Sequence, residues 1–183
     1  MEMTGEQLIP LPQQRVWEAL NDPEVLKACI PGCDSIEKVS DTEYKVAMTA
    51  AVGPVKARFA GKLLLADLDP PASYSLSFEG SGGAAGFGKG NAQVKLAPDG
   101  ETTRLSYTAK ATVGGKLAQV GSRLIDGVAK KMADDFFTKF NQTVAPALAA
   151  PVAAPARRVP HWVWVALAIL IAAVLAFLAL RAH

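Results

Sequence analysis

Apolar and polar residues alternate with a period of two in five runs between Glu43 and Val113. Tyr44, Val46, Met48 and Ala50 alternate with Glu43, Lys45 and Thr49. Ala57, Phe59, Gly61, Leu63 and Leu65 alternate with Lys56, Arg58 and Lys62. Tyr74, Leu76 and Phe78 alternate with serines. Gly88, Gly90, Ala92, Val94 and Leu96 alternate with Lys89, Gln93 and Lys95. Leu105, Tyr107, Ala109, Ala111 and Val113 alternate with Arg104, Ser106, Thr108 and Lys110. Residues two apart on a strand share a face, so each run predicts a strand with one wet side, as in an antiparallel sheet packed on one face only. Residues 2–9 predict one strand more. Pro70-Pro71, the glycine cluster at 80–86 and Asp99-Gly100 predict the turns between strands.

The period changes at both ends of this region. Pro12 to Leu20 predicts a short helix with Val16, Trp17 and Leu20 on its apolar face. Asp22 followed by Pro23 is an N-cap followed by proline at the first helical position, so a second helix is expected there, ended by Gly32. From Lys116 to Gln142, Leu117, Val120, Leu124, Val128, Met132, Phe136 and Phe140 recur at spacings of three and four. One long amphipathic helix is expected, with Asp126–Lys130 and Asp135–Lys139 as ion pairs on its wet side. Strand, two short helices, a run of strands and a final long helix together predict an α+β domain in which a curved sheet wraps that helix.

The last forty residues read differently. Trp162 to Leu180 is a run of 19 residues without a charge. At 1.5 Å per residue it extends about 28 Å, close to the roughly 30 Å hydrocarbon core of a bilayer. A single transmembrane helix over 161–181 is therefore expected, with Trp162 and Trp164 at the interface. Residues 144–160 are mostly alanine with Pro146, Pro151, Pro155 and Pro160, which forbid a continuous helix and predict an extended spacer reaching roughly 50 Å. The expected organisation is a folded domain over 1–143, a linker and an anchor. The N-terminus has no basic start and no apolar stretch of signal-peptide type, which predicts a domain on the cytoplasmic side of the inner membrane.

Charge narrows the function. Of 19 basic residues, Arg157, Arg158 and Arg181 lie in the tail, whereas all 17 acidic residues precede it. The domain is near neutral and lacks the clustered positive field that nucleic acid requires. Both histidines, His161 and His183, lie in the tail, so the domain can assemble neither a Ser-His-Asp nor a Cys-His arrangement, and no metal site built on histidine clusters. Cys29 and Cys33 have neither the spacing of a zinc knuckle nor that of a redox pair, and are expected to be reduced structural thiols. Asp134 and Asp135 are adjacent on a helix and do not face each other. Asp67 and Asp69 read as solvated turn residues. Gly83 to Gly90 matches G-x-x-x-x-G-K, but Gly90 stands where a phosphate loop has Ser or Thr. An alternating strand follows in place of a helix, so a hairpin loop is expected. These features predict a binding protein with no intrinsic cofactor or metal, not an enzyme.

One signal points to a ligand. The inward face of the predicted sheet mixes aromatics with small residues: Ala57, Gly61, Gly88, Gly90, Ala92, Ala109 and Ala111. Small residues opposite a helix serve close packing or leave an apolar cavity of the kind small molecules occupy, and the pattern leaves both open. A cavity would be lined by Phe59, Leu63, Leu76, Phe78, Tyr107, Ala109 and Ala111 from the sheet and by Leu124, Val128 and Met132 from the helix.

Two stretches carry a resemblance. V-W-E-A-L-N-D-P-E-V-L-K-A-C-I-P-G-C, ending at Cys33, resembles the N-terminal signature of the CoxG family associated with carbon monoxide dehydrogenase. V-G-G-K-L-A-Q-V-G-S-R-L-I-D-G-V-A-K-K-M-A-D-D-F-F, from Val113 to Phe137, resembles that family's C-terminal helix. The resemblance covers about 1–144. It implies a START-like (SRPBCC) helix-grip fold, with a seven-stranded antiparallel sheet around a long helix and an apolar cavity between them. It also implies a molybdenum-containing carbon monoxide dehydrogenase or related hydroxylase as partner, which the protein brings to the membrane or links to quinone. No catalytic residues carry over. The expected cargo is an isoprenoid quinone, menaquinone or ubiquinone, or a similar lipid. The alternatives are a ligand-free assembly factor for the dehydrogenase and a START-like hydrolase or cyclase.

Overall fold

A computed structural model describes residues 1–145. Strand β1 (Glu2–Ile9) leads into helices α1 (Gln13–Leu20) and α2 (Pro23–Cys29). Strands β2 (Cys33–Lys38), β3 (Glu43–Val52), β4 (Val55–Asp69), β5 (Ser73–Ser81), β6 (Phe87–Asp99) and β7 (Thr102–Gly114) follow, and then helices α3 (Lys116–Gln119) and α4 (Ser122–Val144). All seven strands form one antiparallel sheet in the order β1-β7-β6-β5-β4-β3-β2. The five alternating runs all became strands. β2 has too little alternation to be read from its pattern, and only the resemblance implied a seventh strand.

The second helix begins as its sequence dictates: the Asp22 side chain accepts a hydrogen bond from the Glu24 backbone N–H at 2.9 Å, with Pro23 in the first turn. It ends earlier than expected. Ile30 is already extended, held there by Pro31, and Gly32 belongs to the turn into β2. The final helix also differs from the continuous one expected over 116–142. It breaks at Val120-Gly121, where Gly121 adopts φ 91°, a left-handed value that favours glycine. The ion pairs on α4 run in the opposite sense from the expected ones: Lys130 pairs with Asp134 at 2.8 Å and Lys131 with Asp135 at 2.6 Å. Either arrangement satisfies the four-residue spacing, so spacing alone does not select between them.

Directly opposed residues of an antiparallel pair project to the same side. Leu63, Phe78, Gly90 and Ala111 form one such row across β4 to β7. Leu65, Leu76, Ala92, Ala109 and Met3 form the next. At two glycines the neighbouring strand backbones approach closely. A Cβ on Gly90 would collide with the Lys110 carbonyl and lie 2.9 Å from Ala111 Cα, and one on Gly61 would lie 2.7 Å from Gly80 Cα. Only glycine allows neighbouring backbones so close, which is how strands bend around a helix.

The core is concentrated at one end. Ile9, Leu11, Val16, Leu20, Cys29, Tyr74, Val94, Leu96, Leu105, Phe137, Phe140 and Val144 form a single buried cluster. Phe136, Phe137, Phe140 and Tyr107 pack ring against ring, with centroids 5.1 to 5.8 Å apart. Trp17 meets Tyr74 edge-on at 5.5 Å. Two polar groups here find partners: fully buried Thr103 donates to the Leu11 carbonyl at 2.7 Å, and Gln13 donates to that of Leu96 at 2.8 Å, whereas Asn141 Oδ1 is buried without one among the described residues. Cys29 is fully buried with its Sγ 3.7 Å from Thr143 Oγ1, and burial raises its pKa above the ordinary thiol value. Both cysteines are free thiols.

Candidate functional site

The concave face beyond this core is built differently. Phe59, Leu63, Leu76, Phe78, Tyr107, Ala109 and Ala111 all project onto it, as their registers require, and all are only half-buried. Opposite lies the first half of α4, where Val128 and Met132 are half-buried and Leu124 is 42% exposed. These three follow one another at four-residue spacing, which winds around the helix away from the face that bears Phe137, Phe140 and Val144. The helix thus buries Phe137, Phe140 and Val144 at its C-terminal end and covers its apolar side chains only partly along its N-terminal half. Of the sheet residues on this face, Leu76 and Tyr107 also pack against the core cluster, so the face grades into the core on that side.

The small residues on this face divide by role. Gly90 lies under the Phe78 ring, whose Cζ would stand 2.7 Å from an added Cβ, and Gly82 likewise lies under Phe59 at 2.5 Å. Tyr107 covers Gly5 of β1 at 2.5 Å. These glycines seat aromatic rings across strands. Ala92, Ala109 and Ala111 are half-buried. The sequence reading omitted Val46, Met48 and Ala50 of β3, which lie opposite Gly61, Phe59 and Ala57 and extend the same surface. Their alternation was legible and would have placed them there.

The chemistry of this surface is apolar. The polar group at its margin is the Tyr107 hydroxyl, in a gap of about 390 Å³ between β1 and α4 that Asp126, Lys130 and Asp134 also line. Burial, with Asp134 nearby, raises the Tyr107 pKa above the ordinary phenol value. Among the described residues no three His, Cys, Asp or Glu side chains come together as a metal site would need. The glycine loop at 83–90 contains a single 3-10 turn, Gly83–Ala85, and then enters β6, so it is the hairpin connection its context predicted.

A seven-stranded antiparallel sheet closed over a C-terminal helix, with an apolar concave face, defines a START-like helix-grip domain. The chain belongs to the carbon monoxide dehydrogenase CoxG family, whose model matches residues 5–145. A conserved protein from Geobacillus kaustophilus is similar at 34% identity and TM-score 0.75, over 80% of this chain and 97% of that one. The fold is also that of a START superfamily protein from Mycobacterium smegmatis (TM-score 0.62, 10% identity, 80% of this chain and 98% of that one). It is shared as well with the ZhuI aromatase/cyclase from Streptomyces sp. R1128 (TM-score 0.61, 12% identity, 81% and 95%). The comparison with curated proteins gave no match. The family's name ties the chain to carbon monoxide dehydrogenase as an accessory protein. Among the described residues no helix is long and apolar enough to cross a membrane; the span expected over 161–181 and its linker lie outside them.

Proposed function

We propose that this protein is a non-catalytic carrier and recruiter. It holds the isoprenoid part of a quinone, or a similar lipid, against the concave face. A C-terminal span ties it to the inner membrane, and it brings a molybdenum-containing carbon monoxide dehydrogenase or related hydroxylase there, linking that enzyme to the respiratory chain. The observation that carries this reading is the contrast along α4. A helix that buries Phe137, Phe140 and Val144 at one end leaves Leu124, Val128 and Met132 incompletely covered at the other, opposite alanines and aromatic rings. Apolar surface left so within a domain is favourable to cover, and a long hydrocarbon chain covers it without needing a polar partner. Family membership supports the choice of enzyme partner.

Native mass spectrometry of the detergent-purified full chain tests the reading. A co-purifying isoprenoid or lipid is the expected result. A domain that is empty after gentle extraction, yet still needed for dehydrogenase maturation, would overturn the carrier reading in favour of an assembly factor.

A further inference from the structure

The charges of this domain are segregated by end. In the antiparallel meander three connections meet at one pole: Gly53-Pro54 between β3 and β4, the segment Gly82–Gly86 between β5 and β6, and Gly115 after β7. They touch one another. Leu124 Cδ2 stands 2.7 Å from the position of a Cβ on Gly53, Phe87 lies over Gly114, and Gly86 lies against Gly115. Although Glu79 stands directly across from Lys89 and Asp126 lies three residues after Arg123, residues 44–66, 80–98 and 102–125, which include this pole's connections, contain no acidic residue. They carry Lys56, Lys89, Lys116 and Arg123, all exposed and without an ion pair among the described residues. Arg58 is also nearby, but Asp34 neutralises it at 3.1 Å. Every carboxylate side chain of the protein precedes residue 136, so the tail can supply none. Among these cations stand two of the exposed large apolar side chains, Phe87 at 46% and Leu124 at 42%, with Pro54 and Ala84 exposed beside them.

The opposite pole is reversed in charge, although Val39 and Leu68 are exposed there too. Its three turns carry Asp41, Asp67, Asp69, Asp99 and Glu101, of which Asp41 and Asp99 are paired, with Lys38 and Arg104. Net charge near zero thus conceals a dipole along the strands.

We infer that this cation-bearing pole docks on a bilayer containing anionic lipid. Unpaired cations around exposed aromatic and aliphatic side chains match a surface that is negative at the headgroups and apolar just beneath. The dipole would orient the domain before contact, with its acidic turns away from the membrane. Docking at this pole places Leu124, the exposed end of the incompletely packed half of α4, at the lipid surface, so cargo would pass between bilayer and concave face there. The inference rests on the carrier reading for its purpose and on the charge map for its geometry.

Sedimentation of residues 1–145 with quinone-free vesicles tests it, because this segment contains the whole buried core and lacks the expected anchor. Vesicles of phosphatidylcholine with phosphatidylglycerol should bind the domain at low salt, and phosphatidylcholine alone should not. Each Lys or Arg near an anionic surface is worth about five-fold in partitioning, so K56Q/K116Q/R123Q should weaken binding roughly a hundred-fold. Removing the same charge away from this pole, in R15Q/K27Q/K38Q, should leave binding nearly unchanged. F87S/L124S, checked for folding by circular dichroism, should reduce binding while keeping the lipid preference. Equal binding to both vesicle types, or equal loss in the two triple variants, would overturn the docking surface. Cargo found by mass spectrometry together with unbound vesicles would overturn it while leaving the carrier reading intact.

Discussion

Truncating side chains at two points along α4 tests whether its two halves differ in packing as the burial indicates. Phe140 is fully buried and stacks on Phe136 at 5.8 Å, in contact with the cluster that joins both short helices to the sheet. Phe140→Ala removes its transfer energy and leaves a cavity in tightly packed surroundings, a loss of about 3–5 kcal/mol. Met132, two turns earlier, is half-buried. A fully buried Met→Ala costs about 2–5 kcal/mol, and a half-covered site should cost roughly 1 kcal/mol because it gives up fewer contacts and leaves no closed void. Urea unfolding of residues 1–145, followed by circular dichroism, reads both. With an m-value of about 2 kcal/mol/M, Phe140→Ala should lower the midpoint by about 2 M and Met132→Ala by about 0.5 M. A Met132→Ala variant as damaging as Phe140→Ala would refute the reasoning. The first half of α4 would then be as closely packed as the second, with no surface for a ligand to cover.

Other consequences are open to direct measurement. Ala109→Phe and Ala111→Phe should abolish lipid co-purification with little change in urea midpoint; a loss of about 1–3 kcal/mol in stability instead would mark those positions as closed core. Stability should hold steady from neutral pH to about pH 8.5 and fall at higher pH. Burial raises the pKa of Cys29 and of Tyr74 above their ordinary values of 9.0 and 10.0, so both favour the fold while protonated. That contribution is lost as pH rises through the folded-state values, and a pH series of thermal melts checks the sign. Deleting Trp162 to His183 should release the partner dehydrogenase from membranes, leaving its activity with a soluble dye intact and lowering its quinone-linked activity. Unchanged quinone-linked activity would count against recruitment.

The strands of the meander were legible because each has one wet face, and a period of two survives any amount of sheet curvature. β2 was not, because Ile36 is its sole fully buried side chain and a single apolar position has no period. The break at Gly121 was hidden for the opposite reason: the apolar spacing of Leu117, Val120 and Leu124 continues through it, and periodicity reports a face, not the backbone joining its parts. The site was half visible. Its residues could be placed on one surface from alternation, but whether alanines there are packed or bare depends on how far α4 sits from the sheet along its length. The phenylalanines at 136, 137 and 140 set that distance at one end only, and no local pattern encodes the other. The charged poles escaped notice because they appear only when turns distant in sequence are brought to one end.

The pairing of β1 with β7 has a consequence for synthesis. The amino group of Met1 donates to the Ala111 carbonyl across 110 residues, so the first strand made waits for the last. At about 5–20 residues per second a ribosome needs roughly 5–20 s to supply that partner. Through that interval β1 is an unpaired strand, the kind of segment that seeds aggregation. Its composition suits the wait: Glu2 and Glu6 place a charge on every second turn of the pleat, and Gly5 lowers its intrinsic strand preference. The same two carboxylates later pair with Lys110 and Arg104 of β7. Charges that keep the nascent strand solitary thus become the contacts that fix its final register.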